Sequence, residues 1–371
     1  MNKKLIYIAN IRLPTEKAHG IQIMKMCEAF ADQGLEVELI VSSRKTPITE
    51  NPFDYYDVRE NFRIKKLWSI DAIRFGRIGF LIQSFTFAKN VSWHALFKKG
   101  TFYTRDEMVA FYLRILGKKV IWESHAGQAN FFVRMLIRIN VPLVVITKGL
   151  ADVYMHTGVS PKNIHVAPDG VDIKQFDIKE NKDEARTRLG FNKEEKIVLY
   201  TGHLYSWKGT DTLAEAAQSL PKDVMIYFVG GTENDILSFK KKYRETGNIR
   251  ILGRKPHHEI PLYMRAADIL VIPNSSKQDI SRLYTSPMKL FEYMASGAPI
   301  VASDLPSLRE ILNESDAFFF VPDDAKDLLR AIVGVFADQR QALKKAALAS
   351  EEVKEYSWQK RAKDILSFIK T

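Results

Sequence analysis

At 371 residues the chain is too long for one small core and suits two domains, and its 46% hydrophobic and 27% charged residues are those of a soluble globular protein. No apolar run approaches a membrane span, Met1-Asn2-Lys3-Lys4 leads into a strand-like segment too short for a signal peptide, and a single cysteine, Cys27, excludes a disulfide framework or a structural zinc cluster, which points to a reducing cytoplasm. Of the net charge of +11, residues 1–168 carry +10, so an anionic partner is expected for the first half only: nucleic acid, an acidic membrane surface or a phosphate-bearing substrate.

Residues 5–9 are a short apolar run. His19-Gly20 then opens an amphipathic helix through Ile23, Met26, Cys27 and Phe30, closed by Gly34 before a strand at 37–41. The segment 72–99 mixes Phe75, Phe80, Phe85, Phe87, Trp93 and Phe97 with Arg74, Arg77, Lys89, Lys98 and Lys99. It suits either a helix on an anionic membrane surface or a core helix with a solvated basic edge. A strand at 101–104, a helix over 106–116 stopped by Gly117, a strand at 120–122 and the run 143–146 follow. Val166-Ala167-Pro168-Asp169-Gly170-Val171-Asp172 forms turns and marks a linker. Beyond it, strands at 197–200, 225–229, 249–252, 269–272, 300–302 and 318–321 each precede a helical stretch. Two successive strand–helix alternations predict two parallel, doubly wound α/β domains. A last helix, near 357–369, comes after the second domain is complete and can cross back onto the first.

Thr285-Ser286-Pro287-Met288-Lys289-Leu290-Phe291-Glu292-Tyr293-Met294-Ala295-Ser296-Gly297 reads as a helix with a hydroxyl cap, a proline in its first turn and a glycine stop, followed directly by a buried strand. A helix start offers unpaired N–H groups and partial positive charge, which suit a phosphate. Glu292, about one and a half turns inside among apolar neighbours, can reach past a phosphate to sugar hydroxyls. The combination suggests a nucleotide-sugar site.

With the linker and Tyr200-Thr201-Gly202-His203-Leu204-Tyr205-Ser206-Trp207-Lys208-Gly209, this stretch completes an ordered set of motifs. By it the chain resembles the retaining glycosyltransferases of family 4, over almost its whole length and most strongly from residue 145 onward. The resemblance implies the GT-B fold, two Rossmann-like domains facing a cleft. An acceptor domain is expected at 1–168 and a donor domain at 169–356, with the helix near 357–371 packed back on the first. It also implies a UDP- or GDP-sugar as co-substrate and no metal or other cofactor. The acceptor would be a glycan or a lipid-linked molecule of cell-envelope or polysaccharide biosynthesis. A cytoplasmic enzyme results, peripheral to the inner face of the membrane if its basic half meets anionic lipid.

The catalytic set implied is His125, Lys208 and Glu292. Lys208, in the loop opened by Gly202, contacts the diphosphate, where fixed positive charge stabilises the leaving group more than the ground state. Backbone N–H groups of Met288 and Lys289, beside Ser286, meet phosphate, and Glu292 binds the ribose. Leu252 and Gly253, ahead of Arg254, border the nucleobase. Gly230, followed by Gly231, permits close backbone approach near the phosphates. His125 contacts the donor sugar near its reacting carbon, with Glu123 positioned to orient it, and the His19-Gly20 loop approaches the reacting groups.

Two positions depart from the family pattern. His203 stands where an arginine is frequent, which leaves its part in phosphate binding to a protonated imidazole. Tyr284 replaces the first of two glutamates and removes one candidate for a covalent route. These departures motivate the alternative of a nucleotide-sugar binder without turnover. A nucleic-acid binder lacks a groove-reading motif, and a dehydrogenase lacks Gly-x-Gly-x-x-Gly after the first strand.

Overall fold

The computed structural model describes residues 4–127 and 129–370, the last by its backbone only, so Met1-Asn2-Lys3 lie outside the described residues. The chain divides into two compact units, Met1–Pro168 with Trp358–Thr371, and Asp169–Ser357.

In the first unit seven parallel strands form one sheet. They are β1 (Lys4–Ala9), β2 (Glu36–Ser42), β3 (Arg63–Leu67), β4 (Thr101–Thr104), β5 (Lys119–Ser124), β6 (Leu143–Val145) and β7 (Ile164–Val166), in the order β3-β2-β1-β4-β5-β6-β7. The inner strands are nearly continuous buried runs, such as Leu5-Ile6-Tyr7-Ile8, as a parallel sheet covered on both faces requires. The edge strands differ. Arg63-Ile64-Lys65-Lys66-Leu67 is largely exposed and Ile164-His165-Val166 is short, so neither shows the apolar run that reveals a strand in sequence. Chain order reverses between β1 and β4, the point at which such sheets take ligands at their carboxyl edge.

Helix Ala18–Asp32 buries Ile23, Met24, Met26, Cys27 and Phe30 and packs against the C-terminal helix Trp358–Lys370, which buries Trp358, Ala362 and Ile365. Helix Gly76–Leu96 has two apolar faces. Phe87, Val91 and Ala95 are buried, while Ile78, Leu81, Ile82 and Phe85, at helical spacing, are exposed, and so are Trp93 and Phe97 beyond them. Of the two sequence-based alternatives for this segment, the core helix is present, and it also exposes an apolar row. No helix among the described residues is long and apolar enough to cross a membrane.

The second unit repeats the architecture with six parallel strands: β8 (Lys196–Thr201), β9 (Val224–Val229), β10 (Ile249–Gly253), β11 (Ile269–Ile272), β12 (Ile300–Ser303) and β13 (Phe318–Phe320). Their order is β10-β9-β8-β11-β12-β13, with the reversal between β8 and β11. Alternate residues of β8 enter opposite cores. Ile197 and Leu199 join the cluster containing Leu290, Phe291 and Met294, and Val198 and Tyr200 join the one containing Leu213 and Phe228. Two parallel-sheet α/β units of this kind make the GT-B fold.

One expected element is corrected. The helix near 285–296 starts at Met288 and runs Met288–Ser296, with Pro287 extended at its cap position and no side-chain cap. The residue before a proline is driven out of the helical region, so Ser286 cannot begin the helix. Its hydroxyl instead accepts the Asp169 N–H of the linker at 3.0 Å, and Ile280–Tyr284 ahead of it forms a π-helical turn.

Candidate active site

Each unit carries a polar cluster at the carboxyl edge of its sheet, and each cluster is built from its own strand ends.

In the second unit, three loops leave β8, β9 and β10 side by side. Gly202 N–H donates to Val229 O and Gly230 N–H to Gly253 O, both at 2.8 Å. Gly230 has φ +123, and a Cβ there would lie 2.3 Å from Gly202 O, so only glycine lets these loops approach. Gly209 is bound in the same way, since its Cβ would fall 1.7 Å from Pro273 O at the end of β11. Gly202, Gly230, Leu252 and Gly253 are thus brought together at one edge. Asn274, next to Pro273, is fully buried, and neither end of its amide has a hydrogen-bond partner among the described residues.

The loop after Gly202 folds as an aromatic stack, His203 on Tyr205 at 4.8 Å and Tyr205 on Trp207 at 6.5 Å. Lys208 ends it, with Nζ 3.9 Å above the Trp207 ring. It has no ion pair among the described residues, and loss of hydration pulls its ammonium down to about 8. The His203 imidazole is taken up in the stack.

Helix Met288–Ser296 is anchored to the end of β8 by the Tyr293 hydroxyl, which accepts Thr201 N–H at 2.8 Å. Lys289 is buried, and its Nζ lies 3.8 Å from the Tyr200 ring centroid. Glu292 is buried one turn further on, its Oε1 2.8 Å from His257 Nε2. His257 follows β10, and its other ring nitrogen lies 3.3 Å from Gln175 Nε2. Glu292 is therefore no loose surface carboxylate but one held in place by an imidazole. Tyr284 closes the π-helical turn, half-buried.

In the first unit the centre is Glu123, fully buried at the end of β5. Its Oε1 accepts Gln22 Nε2–H at 3.0 Å and Arg361 Nη2–H at 3.2 Å and also meets His125 Nε2, while Tyr103 donates its hydroxyl to Oε2. Gln22 in turn accepts from Arg105 at 2.6 Å. Burial alone would raise the Glu123 carboxyl, but Arg361, the His125 contact and Arg105 outweigh it and hold it well below the usual range. The carboxylate holds His125 through Nε2 and sets the ring plane.

Beside His125 lies a cavity of about 170 Å³ lined by Arg105, Glu107, Trp122, Ser124, Val133 and Tyr154 among others. His19 is pulled down to about 4 by burial and by four cationic neighbours, Arg105, Lys17, His125 and Arg44. Gly20 sits in the first turn of its helix, where a Cβ would lie 2.2 Å from the Tyr56 hydroxyl, so its packing partner here is Tyr56.

The structure adds residues that the sequence reading did not single out: the side chain of Lys289, His257, Gln22, Arg105 and Arg361. One of them had a signal. A lysine in the first turn of a helix opposes the helix dipole and asks for an anion.

Residues 181–352 match the family described as "Glycosyl transferases group 1". The phosphatidyl-myo-inositol mannosyltransferase of Mycolicibacterium smegmatis is 30% identical over 209 residues, 55% of this chain and 51% of that protein. The lipopolysaccharide core biosynthesis mannosyltransferase LpsB of Rhizobium meliloti is 27% identical over 252 residues, 65% of this chain and 67% of that one. The chain thus spans about half the length of the first of these relatives. Among solved structures, Anabaena HepE in complex with UDP superposes with a TM-score of 0.79 at 14% identity, covering 99% of both chains. Sucrose-phosphate synthase of Thermosynechococcus elongatus gives 0.80 at 18%, covering 99% of this chain and 98% of that one. At such identities the likeness is one of fold.

Proposed function

We propose that the chain is a family 4 glycosyltransferase and that it moves a sugar from a nucleotide-diphosphate sugar to a hydroxyl of a glycan or lipid-linked acceptor, with retention of anomeric configuration. One observation carries the reading. At the carboxyl edge of the second sheet, the loop that carries Lys208 stands against the Lys289 side chain from the first turn of helix Met288–Ser296, with the carboxylate of Glu292 one turn behind Lys289. A diphosphate suits the first pair and ribose hydroxyls suit the second.

The chemistry follows from these charges. The bond between the sugar's anomeric carbon and the diphosphate oxygen breaks, and its electron pair stays with the diphosphate beside Lys208. The acceptor oxygen bonds the same face of that carbon, and its proton passes to the departing phosphate oxygen. Such a route needs no strong protein base, and an ammonium countercharge dispenses with a metal. His125, held by Glu123, is assigned to the donor sugar near the reacting carbon.

Envelope or polysaccharide biosynthesis is the setting that the two mannosyltransferase relatives support. The exposed apolar row of helix Gly76–Leu96 lies beside Arg74, Arg77, Lys89, Lys98 and Lys99 and supports docking on an anionic lipid surface. Incubation with UDP-, GDP- and ADP-sugars tests the core of the reading. Donor hydrolysis or transfer should appear with one of them and disappear in Lys208→Ala and Glu292→Ala. Tight donor binding without turnover would favour a pure binding protein instead.

A further inference from the structure

We propose that the Lys289 side chain is a phosphate ligand in its own right, forming with Lys208 a pair of lysines that holds the diphosphate. The proposal rests on the donor-site reading above and extends it from the backbone of Lys289 to its ammonium group.

Lys289 is the second residue of its helix, where the helix dipole disfavours a cation. Its residue exposure is only 8%, and among the described residues Nζ has no hydrogen-bond partner. A buried ammonium left unpaired is costly, and such orphans in folded proteins call for a reason. The Tyr200 ring face gives part of the compensation. Glu292, on the same helix, attracts the ammonium but hydrogen-bonds His257 instead.

The direction of the side chain supplies the reason. A Cβ built on Gly202 would lie 3.3 Å from Lys289 Nζ, so the ammonium stands against the loop that carries Lys208. The groups facing it are Lys208 from the turn Ser206–Lys208, Glu292 from its own helix and the Tyr200 ring from β8. Burial and Lys208 together push Lys289 well below its ordinary value. A core lysine with no ligand would be better replaced by methionine. A lysine that meets a dianion, with a second cation on the other side, would not. An anion between the two raises both ammonium groups, so binding draws in protons and weakens as pH rises.

The test is calorimetric titration of UDP, GDP and ADP into the full chain at alkaline pH, in two buffers of different ionisation enthalpy. Wild type should bind at least one diphosphate with net proton uptake. Lys289→Met keeps length and volume without charge and should weaken that diphosphate about 10- to 100-fold. It should also reduce the uptake and leave binding of the parent nucleoside unchanged. The melting temperature of its free form should hold or rise, because a buried unpaired charge is gone. Lys289→Gln gives the same comparison should the methionine variant fold poorly. Unchanged affinity and proton uptake in both variants would overturn the proposal while Lys208→Met still lost binding, leaving the donor site standing. Absence of any diphosphate binding by wild type would overturn both.

Discussion

The two carboxyl edges solve opposite electrostatic problems. In the first unit, Glu123 is buried and saturated: Gln22, Tyr103, His125 and Arg361 all address its two oxygens. In the second, Lys289 is buried with no hydrogen-bond partner for Nζ among the described residues, Lys208 has no ion pair there, and the Asn274 amide is unmatched. A satisfied network rigidifies what it holds, which here is the plane of one imidazole. An unsatisfied cluster of cations is instead a site defined by what it lacks. The first edge orients an imidazole; the second, on the proposed reading, takes an anion.

The comparison can be broken most forcefully at Lys208. Its replacement by alanine should reduce sugar transfer about 100- to 1,000-fold, the range for losing one preorganised group at a developing oxyanion, measured as kcat/KM on the preferred donor. A loss under about threefold would remove Lys208 from the chemistry. Next comes Arg361→Met, which leaves Glu123 buried without its guanidinium. Breaking such a pair costs about 3–5 kcal/mol, so chemical denaturation should show a large loss of stability. Because the Glu123 carboxyl is held below its ordinary value in the folded chain, this contribution is present above the unfolded value and is lost as pH falls through the folded one. The wild-type advantage over Arg361→Met should therefore shrink in acid, and a pH-independent difference would sever Arg361 from Glu123.

Glu292→Gln should have a smaller effect. It keeps the shape and the His257 contact but weakens hydrogen bonds from sugar hydroxyls, and donor affinity should fall about tenfold with little change in melting temperature. His19 offers a gentler probe of the cationic surroundings of the first edge. With its folded value near 4 against an ordinary 6.5, the stability it contributes is complete above 6.5 and is lost as pH falls towards 4. Asp106, buried and raised to about 6, acts in the opposite sense over part of that window. The informative quantity is thus the difference between wild type and His19→Asn, which should narrow on acidification. Least costly to the fold is the apolar row: Phe85→Ser with Trp93→Ser should abolish flotation with anionic vesicles while leaving the melting temperature within a few degrees. Equal flotation of wild type with neutral and anionic vesicles would detach the basic residues from docking.

Much of the fold was legible because inner parallel strands are apolar on both faces, so runs such as residues 225–229 and 269–272 announce themselves. The edge strands β3 and β7 were not, since a charged or very short edge has no such run. The start of helix Met288–Ser296 was misread because a hydroxyl beside a proline imitates a cap, although the proline itself keeps Ser286 extended. Glu123 and His125 at the end of β5, Lys208 in the loop after β8 and Glu292 inside helix Met288–Ser296 were legible as motif residues. Their partners were less so: Arg361 lies 238 positions from Glu123, and His257 lies 35 from Glu292. No local spacing links such pairs. Lys289 was read for its backbone alone, because only the packed helix shows where its ammonium points.

The central claim, that the second edge is a nucleotide-sugar donor site, is tested most directly by the thermal stability of wild type and Lys208→Ala against UDP-, GDP- and ADP-sugars. The account predicts a saturable rise in melting temperature with one donor class, by mass action on the folded state, and a much smaller rise in the variant. No rise with any donor, or an equal rise in both proteins, would contradict it.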